Sequence, residues 1–405
     1  MMKLQHARHR PLQKAVVAAF VAAAAAFVWL YWAGPYRTVV LDRSALAAAA
    51  PNALDDASGE RITTPSAWQA RRPEIVESLQ AEVYGRIPAG ARARIVARAL
   101  VPATDAGGIA GVEQIEIEAG DGVRFNLVLV MPRGAAPAPV IVMQNFCGNQ
   151  AAFPGRPRAI APPRNAYPIP CQSGFFDPPH RAVFGEWMLG PPFQRIIARG
   201  YALAIFYGGD VIPDHAPDAP AALAALHAEG AIAAWAWTHA RVIDVLAVDP
   251  RIDQDRIVAW GQSRFGKVAL LAGALDPRID AVVALQSGRG GDALTAHRAG
   301  ESVSAITRTY PHWFSPRYRQ YALRDPPVDQ HELLALIAPR PLLVVQGSRD
   351  SWADPAGAYR AVVGARPVFD LLGGPPPRFA LRAGTHSITD EDWRLTLDFL
   401  DARLR

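Results

Sequence analysis

The sequence predicts an α/β fold: a mostly parallel central sheet with helices on both faces, preceded by an N-terminal transmembrane helix. Three observations carry this. Strand-like segments come first and are followed by strands alternating with helices, the order of a sheet covered on both faces. The chain has 405 residues, 50% hydrophobic and 20% charged, which suits one large core rather than disorder. Residues 15–36, AVVAAFVAAAAAFVWLYWAGPY, carry no charge, and roughly 20 apolar residues span a bilayer.

Residues 1–14 hold Lys3, Arg8, Arg10 and Lys14 and no acid, so they read as a basic cytoplasmic tail. Two Trp and two Tyr cluster at the far end of 15–36, where an aromatic belt would lie. Together these predict a signal anchor, with the body of the protein in the periplasm. A cleaved signal peptide, leaving a secreted or periplasmic body, is the alternative. Outside the tail 38 bases face 37 acids, so the folded part has no basic excess to offer a nucleic acid.

Residues 37–60 read as a linker or a loosely packed entry segment, and 61–405 as one domain. ARIVARALV (93–101) and VEQIEIEAGDGVRFNLVLVMP (112–132) alternate as strands, with AGDG as a hairpin turn. PVIVMQNF (139–146) is a short apolar run of the buried-strand type. FQRIIARGYALAIFY (193–207) reads as helix, glycine turn and strand, and a long amphipathic helix is expected over about 221–247. RIDAVVALQSG (278–288) is a strand, HELLALIAPRPLLVVQGSRD (331–350) a helix then a strand, and PRFALRAGTHS (377–387) a strand. DEDWRLTLDFLDARL closes as a helix. Residues 147–192, crowded with Pro, Gly and aromatics, form a long loop at the C-terminal end of a central strand, where open α/β sheets bind ligands. The two cysteines, Cys147 and Cys171, leave a disulfide and two free thiols equally open.

The chemistry centres on RIVAWGQSRFGKVALLAGAL (256–275). An apolar strand delivers Ser263 to a sharp turn and a helix starts at once, the layout of a nucleophile elbow. In Gly261-Gln262-Ser263-Arg264-Phe265-Gly266 the second glycine falls one place later than in G-x-S-x-G. A helix-capping serine is the plain alternative. His386, after the last strand, stands where the base of such a site would follow nucleophile and acid. Asp350, at the end of the penultimate strand, is the acid preferred to Asp354. No HExxH, Cys/His cluster or phosphate-binding glycine loop occurs, so no metal and no cofactor is expected. Only three lysines exist, and Lys267 is the only one beyond residue 14. One helical turn from Ser263, it reads as a cation facing substrate. A Ser/Lys dyad has the wrong spacing for S-x-x-K.

GQSRFGK resembles the G-C-S-R-x-G-K signature of the glucuronoyl esterases, carbohydrate esterase family 15, which have the α/β-hydrolase fold. VYGRIP, NFCGN, RGYALAIFYGGDVIPD, SGRGG, PHWFSPRY, HELLALIAPRPLL and DSWADP also resemble bacterial members. The resemblance covers most of 68–400. It implies a serine carboxylic ester hydrolase that forms an acyl-enzyme and cleaves esters of glucuronic acid on xylan, with a small carbohydrate ester as substrate. Carried over by position, Ser263 is the nucleophile, His386 the base and Arg264 the oxyanion donor, while Lys267, Glu301 and Trp313 contact the uronate. Two positions depart from the pattern. Gln262 replaces the family's usual Cys, and Gln286 stands where many members carry a glutamate acid. Bacterial members can place the acid after the following strand, which matches Asp350. An acetyl or aryl esterase of the same fold, or a non-catalytic scaffold, is the competing expectation.

Overall fold

A computed structural model describes residues 37–404 except 56–57, 90–91, 121, 135–136, 167–170, 172–180 and 182–183, and before them only 15, 17, 18, 21, 22, 25, 34 and 36. Nine strands form one sheet: β1 (Arg94–Val101), β2 (Val112–Ala119), β3 (Val123–Val130), β4 (Ala138–Gln144), β5 (Ala202–Phe206), β6 (Ile252–Gln262), β7 (Ala281–Leu285), β8 (Leu342–Gly347) and β9 (Arg378–Arg382). Their order is β1-β2-β3-β5-β4-β6-β7-β8-β9. The first three strands pair antiparallel, as does β3 with β5, and every pair from β5 through β9 is parallel. The α-helices that can be bounded among the described residues are α1 (Arg43–Ala48), α2 (Pro65–Leu79), α3 (Phe193–Ala198), α4 (Ala219–Ala225), α5 (Ala231–Leu246), α6 (Arg264–Leu275), α7 (Val303–Thr309), α8 (Gln330–Ala335), α9 (Pro355–Leu371) and α10 (Asp390–Leu404).

The central strands are apolar on both faces, and the two-residue period of a strand divides them between two cores. Val140 and Val142 of β4 face α2, α5, α6, α8 and α9, in a cluster that includes Trp68, Leu270 and Phe369. Ile141 and Met143 face α3 and α10, where Trp260 stacks on Trp393 with centroids 4.7 Å apart. This is the α/β-hydrolase arrangement, and it puts the C-terminal ends of β4 to β9 along one edge.

The structure corrects three expectations. The transmembrane helix over 15–36 is not supported: among the described residues no helix is long and apolar enough to cross a membrane, and most of 15–36 lies outside them. The membrane partner and the membrane-anchored placement that rested on it fall with it; an uncharged, alanine-rich composition is compatible with more than one environment. The helix expected over 221–247 is broken into α4 and α5. The break lets Ala231 and Ile232 donate their amides to the carbonyls of His312 and Trp313, at 2.8 and 3.1 Å, a tertiary contact that periodicity does not encode. Residues 37–60, expected as a linker, carry α1 and bond to α9: Ala53 N donates to the Gly364 carbonyl at 3.0 Å and Arg360 Nε to that of Ala49 at 3.1 Å.

Candidate active site

Ser263 sits between β6 and α6 at φ 56° and ψ −124°, a conformation costly for a residue with a Cβ. The turn is held by its own backbone: Ser263 N donates to the Leu285 carbonyl of β7 at 2.9 Å, and the Ser263 carbonyl accepts from Gly266 and Lys267. The side chain makes no capping bond to α6, so the hydroxyl is not used as a cap. The shifted glycine has a packing reason. A Cβ at Gly261 would lie 2.0 Å from the Phe265 carbonyl oxygen, and one at Gly266 2.9 Å from Ser287 Cβ. The close approach to β7 therefore falls at 266. Position 265 instead carries a phenylalanine packed on Phe146 and Trp235.

His386 follows β9, and its Nδ1 lies 2.6 Å from Asp350 Oδ2. Asp350 is fully buried after β8, and its other oxygen accepts the Ala353 amide at 3.2 Å. Asp354 is turned away. It caps α9 through Gly357 N and binds His297 Nδ1 at 2.8 Å. Gln286, at the end of β7, exchanges two hydrogen bonds with the backbone of Ser387: its Nε2 donates to the carbonyl and its Oε1 accepts the amide, both at 3.1 Å. The neutral amide thus braces the residue after His386, a task a carboxylate could not complete because it has no donor.

Arg264 is gripped from below. Its guanidinium pairs with the buried carboxylate of Asp214 and lies over the Trp313 ring, 4.7 Å from the centroid. Trp313 stacks face to face on Tyr310 at 3.8 Å. Asp214 also accepts Trp313 Nε1 at 2.8 Å and faces His312 Nε2 at 3.0 Å. Burial would raise the Asp214 carboxyl, but the Arg264 charge and the bonds from His312 and Trp313 outweigh it and hold it at about 2. Trp313, expected to touch the uronate, has its N–H committed to Asp214 and is 3% exposed. Its ring is a platform for Arg264.

Lys267 is buried in the first turns of α6. Its ammonium donates to the Ser287 carbonyl and, at 2.7 Å, to that of Arg289. Burial lowers it to about 8, against the pull of Glu301 and Asp292. Glu301, after β7, carries a carboxyl raised by burial and stabilised as an anion by Lys267 and by a bond from Trp352. Trp352 is 48% exposed, two residues beyond Asp350.

Ser263, Arg264, Lys267, Glu301, Trp313, Trp352 and His386 open on one cavity of about 570 Å³. Its other walls are apolar and include Phe146, Phe184, Met188, Leu189 and the disulfide between Cys147 and Cys171. The described residues of the loop 147–192 thus close one side. Among the described residues no group of His, Cys, Asp and Glu side chains converges as a metal would need. Sequence reasoning missed Asp214, Trp352 and Tyr36. The first stands in GGDVIPD and the second in DSWADP, so each lay inside a motif already singled out. Tyr36 had no local signal at all.

Comparison with known proteins is consistent with this geometry. A family model described as "Glucuronyl esterase, fungi" matches residues 223–373. The carbohydrate esterase MZ0003, from an unknown prokaryotic organism, is 31% identical over 87% of this chain and 88% of its own length. The 4-O-methyl-glucuronoyl methylesterase 1 of Wolfiporia cocos is 29% identical over 83% of this chain and 75% of its own. Among solved structures, a glucuronoyl esterase from Solibacter usitatus superposes with a TM-score of 0.75 at 30% identity, over 88% of this chain and 98% of that one.

Proposed function

Because this chain belongs to the glucuronoyl esterases of carbohydrate esterase family 15, and is a carboxylic ester hydrolase, we propose that it cleaves esters of glucuronic acid by a Ser-His-Asp mechanism through an acyl-enzyme. The observation that carries this is the meeting of the strained Ser263, His386 paired with the buried Asp350, and the anchored Arg264 at one cavity.

Ser263 Oγ attacks the ester carbonyl while His386 takes its proton. Asp350 receives the Nδ1–H of His386, which leaves Nε2 as the basic nitrogen and stabilises the imidazolium that forms. The negative charge on the carbonyl oxygen is met by the Arg264 guanidinium and by the Arg264 backbone amide, at the N-terminus of α6 where amides have no intrahelical acceptor. The C–O bond to the alcohol then breaks, and His386 returns the proton to the leaving oxygen. Water repeats the sequence in reverse, with His386 again as base, and frees the acid.

The uronate ring would be held at the Lys267–Glu301 end. A uronate ester has no free carboxylate, so these groups act through hydrogen bonds to hydroxyls, Glu301 as acceptor and Lys267 with the donor not committed to Ser287 and Arg289. Trp352, bonded to Glu301 and half exposed at the mouth, offers an aromatic face to the same ring.

The test is hydrolysis of benzyl and methyl glucuronate against a simple acetate ester, with Ser263→Ala, His386→Ala and the double variant. Each single change removes what the other needs, so each should cost at least ~10² in kcat and the pair little more. Turnover of the acetate ester alone would point to an acetyl esterase. Retention of more than about a tenth of the activity in His386→Ala would remove the histidine from the mechanism.

A further inference from the structure

Residues 34 and 36–40 run along the loop that carries Asp350. Val39 donates its amide to the Ser348 carbonyl at 2.7 Å. Arg349 Nε donates to the Tyr36 carbonyl and Ser351 Oγ to that of Gly34, each at 3.3 Å. Three contacts spaced along both segments hold the arm in register with a loop more than 300 residues away in sequence. Downstream the arm stays attached, with Arg43 over the Tyr359 ring and the Ala53 amide on α9.

Tyr36 is half buried and lines the cavity that holds Ser263 and His386. Burial and the nearby charge of Asp350 both raise its hydroxyl pKa, and the bonds of Tyr36 and Gly34 to Arg349 and Ser351, on either side of Asp350, set the arm beside the carboxylate that holds His386. Phe184 lines the same cavity, its carbonyl accepting the Ile388 amide at 2.8 Å. The leaving oxygen must come within hydrogen-bond reach of His386 to be protonated. The first carbons of the ester's alcohol therefore lie beside His386.

Resting on the esterase function above, we infer that Tyr36 is a specificity-determining residue: the N-terminal arm supplies it as a wall against the ester's alcohol, and it favours aromatic over small alkyl alcohols. A tyrosine ring brings a large rigid surface with few rotatable bonds. The arm, rather than the α/β core, then decides what the alcohol can be.

The experiment compares kcat and KM for benzyl and methyl glucuronate in the full chain and in Tyr36→Ala, Tyr36→Phe and Val39→Pro. In Tyr36→Ala the benzyl-to-methyl ratio of kcat/KM should fall about tenfold, the size of a modest pocket contact, and should do so through KM. Tyr36→Phe keeps the ring and should hold the ratio within about twofold. Val39→Pro deletes the amide that bonds Ser348 while leaving Tyr36 in the chain, and should lower the ratio in the same direction. Equal losses on both esters in Tyr36→Ala would mean that the ring only supports the Asp350 loop, and an unchanged ratio in both Tyr36→Ala and Val39→Pro would mean that it faces nothing; either overturns the inference. Failure of the unchanged chain to hydrolyse either ester would instead overturn the esterase function, and the inference with it.

Discussion

Asp214→Asn tests how Arg264 is held. Asp214 presents two acceptor oxygens to three buried donors: Oδ1 to Trp313 Nε1 and His312 Nε2, Oδ2 to the Arg264 guanidinium. Asparagine keeps the shape but has one acceptor and two N–H donors. If its oxygen stays with the indole and imidazole, its amide group meets the guanidinium donor to donor. Arg264 is then left without its counter-charge, with both side chains at most 15% exposed. The Asp214 carboxyl titrates at about 2 when folded, against ~3.9 unfolded, a difference that corresponds to about 2–3 kcal/mol. A depressed folded pKa contributes stability that is fully present above pH ~4 and is lost as pH falls toward about 2. The variant should therefore be about 2–3 kcal/mol less stable in urea at neutral pH. The deficit should shrink between pH 4 and 2, measured against wild type. A domain with ordinary stability remains folded under assay conditions. Turnover of methyl glucuronate should fall about 10²-fold, as for a catalytic group displaced by about an ångström. KM should change little, because the oxyanion forms only in the transition state. Combining Asp214→Asn with Arg264→Ala should cost no more than Arg264→Ala alone, itself about 10²–10³. Turnover within about threefold of wild type in folded Asp214→Asn, or full additivity in the double variant, would refute the idea that Asp214 acts by aiming Arg264.

Asp350→Asn should lower kcat by up to ~10⁴, since the histidine loses its orienting charge and favoured tautomer; Gln286→Ala should cost far less, and its effect should follow the loosening of Ser387, so the opposite ranking in a side-by-side assay would exchange their roles. Lys267 has a folded pKa lowered to about 8 against ~10.4 unfolded. The cation's desolvation cost is thus borne below pH 8 and relieved as pH rises toward 10. Lys267→Met should accordingly gain least in stability at high pH. The fall in glucuronate kcat/KM above about pH 8 expected of wild type should be absent from this variant, as a pH profile of both would show. The Cys147–Cys171 bond spans 24 residues, and replacing both cysteines by alanine should cost about 3 kcal/mol in urea unfolding. It should also raise KM for bulky esters, because the bond lines the cavity.

The elbow was legible in the sequence because its signals are local. An apolar strand, a glycine, a serine and an alanine-rich helix fall within twenty consecutive residues, and each names its own backbone conformation. Chain order alone then nominated Asp350 and His386, since the parallel sheet brings successive strand ends to one edge. Asp350 and Asp354 lie in the same short motif with the same chemistry. What separates them is which one packs against the loop after β9, and the structure turns Asp350 to His386 and Asp354 to His297. Gln286 looked like a missing acid, but its amide braces Ser387 by pairing both a donor and an acceptor with backbone 101 residues away. Trp313 and Trp352 are both tryptophans in recognised motifs. Only the path of the chain buries the first under Arg264 and leaves the second at the mouth. An uncharged run of apolar residues was read as a membrane span because hydropathy reports composition, not environment, and the same segment's last tyrosine ends in the wall of the cavity. Sequence by itself nominated most of the candidate groups and the elements on which they sit. Tertiary structure decided which of them face one another, because hydrogen bonds and burial act over a few ångströms of space whatever the distance along the chain.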